Sequence, residues 1–241
     1  MKILGIIPAR YASTRFPGKP LVDIKGKSMI QRVYEQASKC KSLSAVVVAT
    51  DDDRIFSHVQ NFGGKAVMTS TDHPSGTDRC MEALEKFGGS YDVVINIQGD
   101  EPFIQPEQLE QLIGCFSDGA AQIATLAKKI ETSEDLVNVN LPKIVFNQNY
   151  KALYFSRSPI PGQKSANYSE WFANHSYYRH IGLYGYRTEV LKEITKLQPS
   201  PLEKTESLEQ LRWLEAGYNI KVGITELETL AIDTPDDLKK A

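Results

Sequence analysis

Short apolar runs alternate with amphipathic stretches along the first half of the chain. The runs of strand length are Ile3–Ile7, Ala45–Ala49, Ala66–Met68 and Val93–Ile97. Between them, apolar residues recur at steps of three and four, as in Ile55, Val59 and Phe62, which is typical of helices. Because the runs are apolar on both faces, the alternation predicts a mainly parallel sheet covered by helices, a Rossmann-like α/β fold.

The pattern changes after about residue 120. Lys143–Phe146 and Ala152–Phe155 flank a turn at Asn147–Tyr150, which predicts a β-hairpin. The stretch Ser158–Asn174 is rich in Pro, Ser and Asn and predicts no regular element. Further strands are predicted at Ile123–Leu126, Ile181–Tyr186, Ile220–Ile224 and Leu230–Ile232. We expect a single domain over residues 1–241, with a smaller hairpin-containing sub-lobe at approximately 140–186 that serves dimerisation or the acceptor side.

Composition narrows the class of protein. The 241 residues carry a net charge of −2, which argues against a general nucleic-acid binder. No apolar run approaches the length of a membrane span, so no membrane partner is expected. Cys40, Cys80 and Cys115 are odd in number and widely spaced, which fits neither a disulfide framework nor a zinc site. The sequence therefore predicts a cytoplasmic protein.

A basic loop follows the first apolar run. Arg10, Arg15 and Lys19 fall within ten positions, together with the hydroxyl of Ser13 and with Gly18. Arginine offers a planar fork of donors and lysine a point charge, both suited to phosphate oxygens. The loop matches neither the dinucleotide-binding nor the P-loop motif. It predicts a polyphosphate site, and the alternative interpretation is a solvated basic loop.

Two acids come directly after apolar runs. Asp100 follows Gly99 after the fourth run, and Asp233 follows Ile232 late in the chain. Since ligands bind beyond the carboxyl ends of parallel strands, the two could converge on one Mg²⁺ ion. A turn role for each is the alternative.

Other polar residues carry weaker signals. Asp52 and Asp53 are interpreted as capping the next helix, and Ser75 or Thr77 could cap the one after. Arg79, in a first helical turn, opposes the helix dipole and so predicts an anionic partner nearby. Taken from the residues alone, five others are better explained by packing or solvation: Arg157, His180, Tyr184, Glu209 and Gln210.

A series of blocks resembles one enzyme family in order along almost the whole chain. The first block runs from Ile7 to Leu21, through Pro8-Ala9-Arg10 and Pro17-Gly18-Lys19-Pro20. The later ones are Val48–Asp51, Ser75–Arg79, Gln98–Pro102, Ala152–Arg157, Arg179–Gly182, Leu208–Arg212 and Asp233–Pro235. Together they resemble the 3-deoxy-manno-octulosonate (Kdo) cytidylyltransferases.

The resemblance implies transfer of CMP from CTP to the anomeric hydroxyl of Kdo, with release of pyrophosphate. It also implies Mg²⁺, a nucleotide-diphospho-sugar transferase fold, a homodimer, and a place in lipopolysaccharide biosynthesis. Two alternatives stay open: a cytidylyltransferase for another acidic sugar, such as 8-amino-Kdo or a sialic-acid-like acid, and a non-catalytic nucleotide-binding homologue.

The resemblance also implies residue roles. Arg10, Ser13 and Lys19 would hold the CTP phosphates, with Ala9, Ser75 and Gly76 near the base and ribose. Arg15 would lie near the reacting phosphate, and Asp100 and Asp233 would ligate the metal. The residues implied to face Kdo are Arg79, Gln98, Arg157, His180, Tyr184, Glu209 and Gln210. Arg10, Arg15, Lys19 and Asp100 would be the catalytic residues.

Overall fold

The computed structural model describes residues 1–12, 16–164, 167–228, 232 and 234–240. Three residues that the sequence nominates for the site, Ser13, Arg15 and Asp233, lie outside these ranges.

The described elements follow the predicted alternation. In chain order they are β1 (Ile3–Ala9), β2 (Asp23–Ile24), β3 (Lys27–Ser28), α1 (Met29–Ala37), β4 (Ala45–Thr50), α2 (Asp53–Asn61), β5 (Ala66–Met68), α3 (Gly76–Phe87), β6 (Val93–Asn96), α4 (Pro106–Gly114), β7 (Ile123–Lys129), α5 (Ser133–Val137), β8 (Lys143–Phe146), β9 (Ala152–Ser156), α6 (Tyr168–Asn174), β10 (Tyr178–Arg187), α7 (Thr188–Ile194), α8 (Pro201–Glu206), α9 (Gln210–Glu215) and β11 (Ile220–Ile224). Short 3₁₀ turns lie at Lys19–Leu21, Cys115–Ser117 and Asp237–Lys240.

The chain divides into two compact units. The first comprises Met1–Glu110, Gly185–Thr195 and Glu228–Ala241, and the second Gln111–Tyr184 and Lys196–Leu227. Most of the expected 140–186 sub-lobe falls in the second unit, and its role stays a prediction.

The first unit is built on a parallel sheet in the order β6-β1-β4-β5. Ile3 to Ile7 are buried along β1, as expected for a run covered on both faces. Helices α1, α2 and α3 pack on this sheet. Ser28, Asp52 and Ser75 cap these helices by accepting backbone N–H groups, which confirms the capping interpretation of Asp52.

The second unit combines parallel and antiparallel pairs. Strand β11 runs parallel to β7, whereas β8 pairs antiparallel with both β9 and β10. The β8–β9 pair is the predicted hairpin, and Tyr150 closes its turn with a φ of 54°. Tyrosine there adopts the left-handed conformation that few non-glycine residues favour.

Some elements escaped prediction because they are short. Strands β2 and β3 have two residues each, and α5 and α8 have five and six, too few for a period to show. His180, expected just before a strand, lies inside β10. The strand expected at Leu230–Ile232 falls largely outside the described residues, and Ile232 itself belongs to no strand. Within the described ranges, no helix has the length and apolar character needed to cross a membrane.

Candidate functional site

The loop after β1 closes on itself at its described ends. The backbone N–H of Gly18 donates to the carbonyl of Tyr11 over 2.9 Å. Gly18 has a φ of 72°, and a Cβ there would lie 3.2 Å from the Tyr11 ring. Glycine therefore suits both the backbone conformation and the close contact. The guanidinium of Arg54 covers the Tyr11 ring at 3.3 Å from its centroid, a cation–π contact that fixes this side of the loop.

The loop meets the acid that follows β6. The ammonium of Lys19 lies 2.9 Å from Oδ2 of Asp100, with the two side chains 14% and 30% exposed. A Cβ on Gly99 would lie 2.6 Å from the backbone carbonyl oxygen of Pro8, so only glycine allows the ends of β1 and β6 to approach this closely. The basic loop and Asp100 thus meet through Lys19.

The last described segment returns to the same place. The N–H of Ile232 donates to the carbonyl oxygen of Asp100 over 3.0 Å. The Ile232 side chain is fully buried against Ile24 and Met29, with Phe103 packed beside them. The residue immediately before Asp233 is therefore held at the backbone of Asp100. Among the residues with described positions, no group of three His, Cys, Asp or Glu side chains is arranged to hold a metal.

Arg10 is partly buried beside groups of both charges. Its Nη2 donates to the backbone carbonyl of His73. Burial and the nearby Arg79 lower the pKa of Arg10, whereas Asp51 and Asp78 raise it. The guanidinium stays charged, since arginine keeps its proton in proteins.

Arg79 is fully buried and has the anionic partner that its position predicts. Its Nη2 lies 2.8 Å from Oδ2 of Asp51, and its Nη1 donates to the hydroxyl of Thr69 over 2.5 Å. Its Nε has no hydrogen-bond partner in the described part of the chain. This geometry gives Arg79 a positioning role for the loops after β4 and β5.

The loop that carries His73 is itself tied to α3. Glu82 accepts hydrogen bonds from the backbone N–H of Ser70 (2.7 Å) and from the His73 ring, and pairs with Lys86 at 2.7 Å. Burial alone would raise the pKa of Glu82, but these donors bring it down to about 2. Glu82 thus stays ionised and holds His73 in place. The backbone carbonyl of His73 in turn anchors Arg10. Its i,i+4 spacing to Lys86 is the only sequence signal for this role.

Three further residues surround the loop after β1. Ala9 is buried at the end of β1, opposite Thr50 of β4. The hydroxyl of Ser75 is used for the helix cap and donates to Asp78 over 2.6 Å. A Cβ on Gly76 would lie 3.6 Å from the Pro8 ring, an ordinary contact distance.

Sequence reasoning missed Asn96, the last residue of β6. It is buried, and its side-chain oxygen accepts no hydrogen bond from any described residue. An amide in an otherwise apolar strand was the available signal. Gln98, two residues further on, is half-buried.

In the second unit, Arg157 binds backbone carbonyls. Its Nε, Nη1 and Nη2 donate to the carbonyl oxygens of Glu206, Val139 and Ser207 at 2.6, 2.9 and 3.1 Å. The carboxylate of Glu206 in turn accepts from the Ser156 hydroxyl and the Arg157 N–H. Arg157 therefore fastens the end of α8 to β9.

Four other nominated residues lie on β10 and at the start of α9. The Tyr184 ring packs against the His180 ring, with centroids 5.2 Å apart, and edge-on against Trp213 at 5.1 Å. Trp213 is one helical turn from Gln210, which is 5% exposed. The Gln210 amide nitrogen is buried without a hydrogen-bond partner among the described residues. Glu209 precedes α9 and lies 3.9 Å from Arg212.

His180 is a neutral histidine. Its Nε2 lies 2.9 Å from the Thr125 hydroxyl, and the Phe155 ring meets it edge-on at 5.1 Å. Burial lowers the pKa of His180 to about 3. The ring is therefore uncharged at any pH near neutrality.

Comparison with known proteins identifies the class of protein to which this chain belongs. A family model described as cytidylyltransferase matches residues 4–222, so the chain belongs to the cytidylyltransferases.

Its relatives show which family of cytidylyltransferases the chain belongs to. The chain is 63% identical to a 3-deoxy-manno-octulosonate cytidylyltransferase of Bacteroides thetaiotaomicron over 100% of this chain and 97% of that protein. It is 61% identical to one of Parabacteroides distasonis with the same coverage. A solved CMP:2-keto-3-deoxy-manno-octonic acid synthetase complexed with CTP superposes with a TM-score of 0.92, at 45% identity over 100% of this chain and 96% of the other. The chain belongs to the 3-deoxy-manno-octulosonate cytidylyltransferase family, as its sequence blocks indicate, and the expected fold is confirmed.

The half-buried His180 should make the free energy of unfolding depend on pH. An unfolded histidine binds a proton below about pH 6.5, whereas His180 in the folded chain stays neutral down to about pH 3. Stability from this residue is complete above the unfolded value and is lost as the pH falls through this window. Urea unfolding at pH 7, 6, 5 and 4 gives the free energy of unfolding as a function of pH. The slope of this plot should be smaller for His180→Gln than for the wild type, by at most the slope that one bound proton causes. The exposed His175→Gln is the control; equal slopes for wild type and His180→Gln would contradict the assignment.

Proposed function

We propose that this protein transfers CMP from CTP to the anomeric hydroxyl of Kdo, giving CMP-Kdo and pyrophosphate. The geometric observation that carries the proposal is the Lys19–Asp100 ion pair, which joins a basic loop to an acid beyond the ends of two parallel strands. The names of its relatives supply the substrates. Cysteines that stay free thiols are typical of a reducing compartment. Together with the use of CTP, they agree with a cytoplasmic enzyme.

In this proposal the first unit binds the nucleotide. Arg10, Ser13 and Lys19 hold the triphosphate, while Ala9, Ser75 and Gly76 lie near the base and ribose. Arg15 lies near the reacting phosphate. Before CTP arrives, Lys19 is neutralised by Asp100, whereas burial and the nearby Arg79 disfavour the charge of Arg10 more than Asp51 and Asp78 favour it. Lys19 is therefore held in place by its partner, which is the preorganisation that charge stabilisation in a transition state requires, and Arg10 gains an anionic partner when the triphosphate binds.

We propose that Asp100 and Asp233 ligate Mg²⁺. The donor set fits, because Mg²⁺ is commonly held by one or two carboxylates plus substrate phosphates. Asp100 is partly exposed, and its Oδ1 has no hydrogen-bond partner among the residues described. Bound Mg²⁺ would neutralise phosphate charge and make the acceptor hydroxyl more acidic. Lys19 and Arg10 stabilise the negative charge that grows on the departing pyrophosphate.

The proposed acceptor residues are Gln98, His180, Tyr184, Glu209 and Gln210. Arg79 and Arg157 stay predicted acceptor residues, although both guanidinium groups are engaged within the fold.

We also propose a homodimer. The second unit exposes Val139 and Leu153, at 57% and 60%, and an apolar cavity of about 350 Å³ lies between Ile144, Phe146 and Leu153. A second copy would cover this surface. Sedimentation equilibrium should give twice the chain mass of 27.0 kDa. A measured mass equal to that of one chain would exclude the dimer.

Pyrophosphate release across an acceptor panel tests the reaction. The purified protein with CTP and Mg²⁺ should release pyrophosphate with Kdo far faster than with 8-amino-Kdo or a sialic acid. A higher kcat/KM for either analogue would reject Kdo as the acceptor. CTP binding without turnover on any acceptor would favour the non-catalytic homologue.

Replacing Asp100 tests its role. Asp100→Asn keeps the shape of the side chain but removes the charge that pairs with Lys19, and should lower kcat about 10²-fold or more. Its circular dichroism spectrum should match that of the wild type. The matched control is Asp53→Asn, at an exposed acid after β4, which should keep near-normal activity. Normal turnover by Asp100→Asn at all Mg²⁺ concentrations would exclude the proposed role.

A further inference from the structure

The hydroxyl of Thr125 lies at the centre of three hydrogen-bonding groups of β10. Thr125 is a fully buried residue of β7, surrounded in sequence by apolar neighbours. Its Oγ1 lies 2.9 Å from His180 Nε2, 3.1 Å from the Ile181 carbonyl oxygen and 2.9 Å from the Leu183 carbonyl oxygen. A threonine hydroxyl has one proton and accepts through its lone pairs.

Proton counting assigns the direction of these bonds. A carbonyl oxygen only accepts, so the contacts to Ile181 and Leu183 are hydrogen bonds only if the single Thr125 proton points to their side, given to one carbonyl or shared between the two. If that proton pointed to His180 instead, two carbonyl oxygens would face the hydroxyl oxygen with no proton between them. The hydroxyl must then accept its third bond, and His180 must donate it from Nε2.

From this we infer that Thr125 is a positioning residue that holds His180 as the Nε2–H tautomer, with Nδ1 presented as a hydrogen-bond acceptor for a hydroxyl of the acceptor sugar. A neutral histidine has one protonated nitrogen, so donation from Nε2 leaves a lone pair on Nδ1. None of the described residues donates to that nitrogen. The role in sugar binding rests on the proposed function; the tautomer does not.

The surroundings of the ring support this choice of ligand group. Phe155 and Tyr184 pack on the imidazole and prevent it from rotating away. Since burial lowers the pKa of His180 to about 3, the ring cannot become a cation for the sugar carboxylate. A bare imidazole nitrogen repels a carboxylate and accepts from a hydroxyl. The buried amide nitrogen of Gln210 offers a donor, so the two groups suit different polar groups of a polyhydroxy acid.

Three proteins test the inference: the wild type, Thr125→Val and Thr125→Ser. Valine keeps the shape of threonine and suits a buried strand, whereas serine restores the hydroxyl. In ¹⁵N-histidine-labelled protein without substrates, the wild type and Thr125→Ser should show His180 protonated at Nε2 with a slowly exchanging proton. Thr125→Val should lose that protection, because the Nε2–H of His180 then has no acceptor. The His180 signals are assigned by their absence from His180→Gln.

Kinetics supply the second readout. Thr125→Val should raise the KM for Kdo about tenfold, or about 1.4 kcal/mol, with the KM for CTP unchanged. Among Kdo analogues that each lack one hydroxyl, one should give the same KM with wild type and Thr125→Val, and it identifies the hydroxyl that Nδ1 binds. His180→Asn, whose side-chain oxygen reaches the Nδ1 position, should retain a lower KM for Kdo than His180→Gln.

Two results would overturn the inference. One is a wild-type His180 protonated at Nδ1. The other is a Thr125→Val protein that matches Thr125→Ser in both its spectrum and its KM for Kdo. Failure of the proposed function would show up differently, as a lack of Kdo-dependent turnover in the wild type, while the substrate-free spectra would still decide the tautomer.

Discussion

The close approach of the chain after β6 to the end of β1 is the constraint on which the proposed nucleotide site depends. A glycine at position 99 lets the chain pass against the backbone of Pro8, where any Cβ would collide with a carbonyl oxygen. That contact brings Asp100 within 2.9 Å of Lys19, and the backbone of Asp100 then receives the hydrogen bond from Ile232. Three segments that are remote in sequence therefore meet through one steric condition.

The charges around this point are arranged in compensating sets. Lys19 faces Asp100 and Arg79 faces Asp51, while Asp51 and Asp78 both favour the charge of Arg10. An uncompensated buried charge would cost several kcal/mol, which explains why each cation near the loop has an acid close by. Such a site can receive a highly charged nucleotide without first having to assemble its own cations.

The sequence predicted the parts of the fold that depend on local pattern. Runs apolar on both faces identified β1, β4 and β6, and the capping candidates Asp52 and Ser75 lie at helix starts. The blocks of family resemblance nominated Lys19 and Asp100 before their contact was known.

What could not be predicted depends on residues distant in sequence. Nothing near Arg157 in the chain indicates that its guanidinium binds the carbonyls at the end of α8. The support of Arg10 by Glu82 passes through the backbone of His73, whose carbonyl carries no side-chain signal. Thr125 resembles any strand threonine until β10 is placed beside it.

The two units therefore offer different kinds of recognition. The first unit relies on paired full charges, which suit a triphosphate and a metal ion. In the second unit, His180 is neutral and Gln210 has a buried amide nitrogen with no partner among the described residues. Buried polar groups of this kind discriminate strongly, because a substrate that lacks the matching hydroxyl or acid leaves them unpaired. Selectivity among acidic sugars should accordingly come from these neutral groups, and charge should govern the binding of the nucleotide.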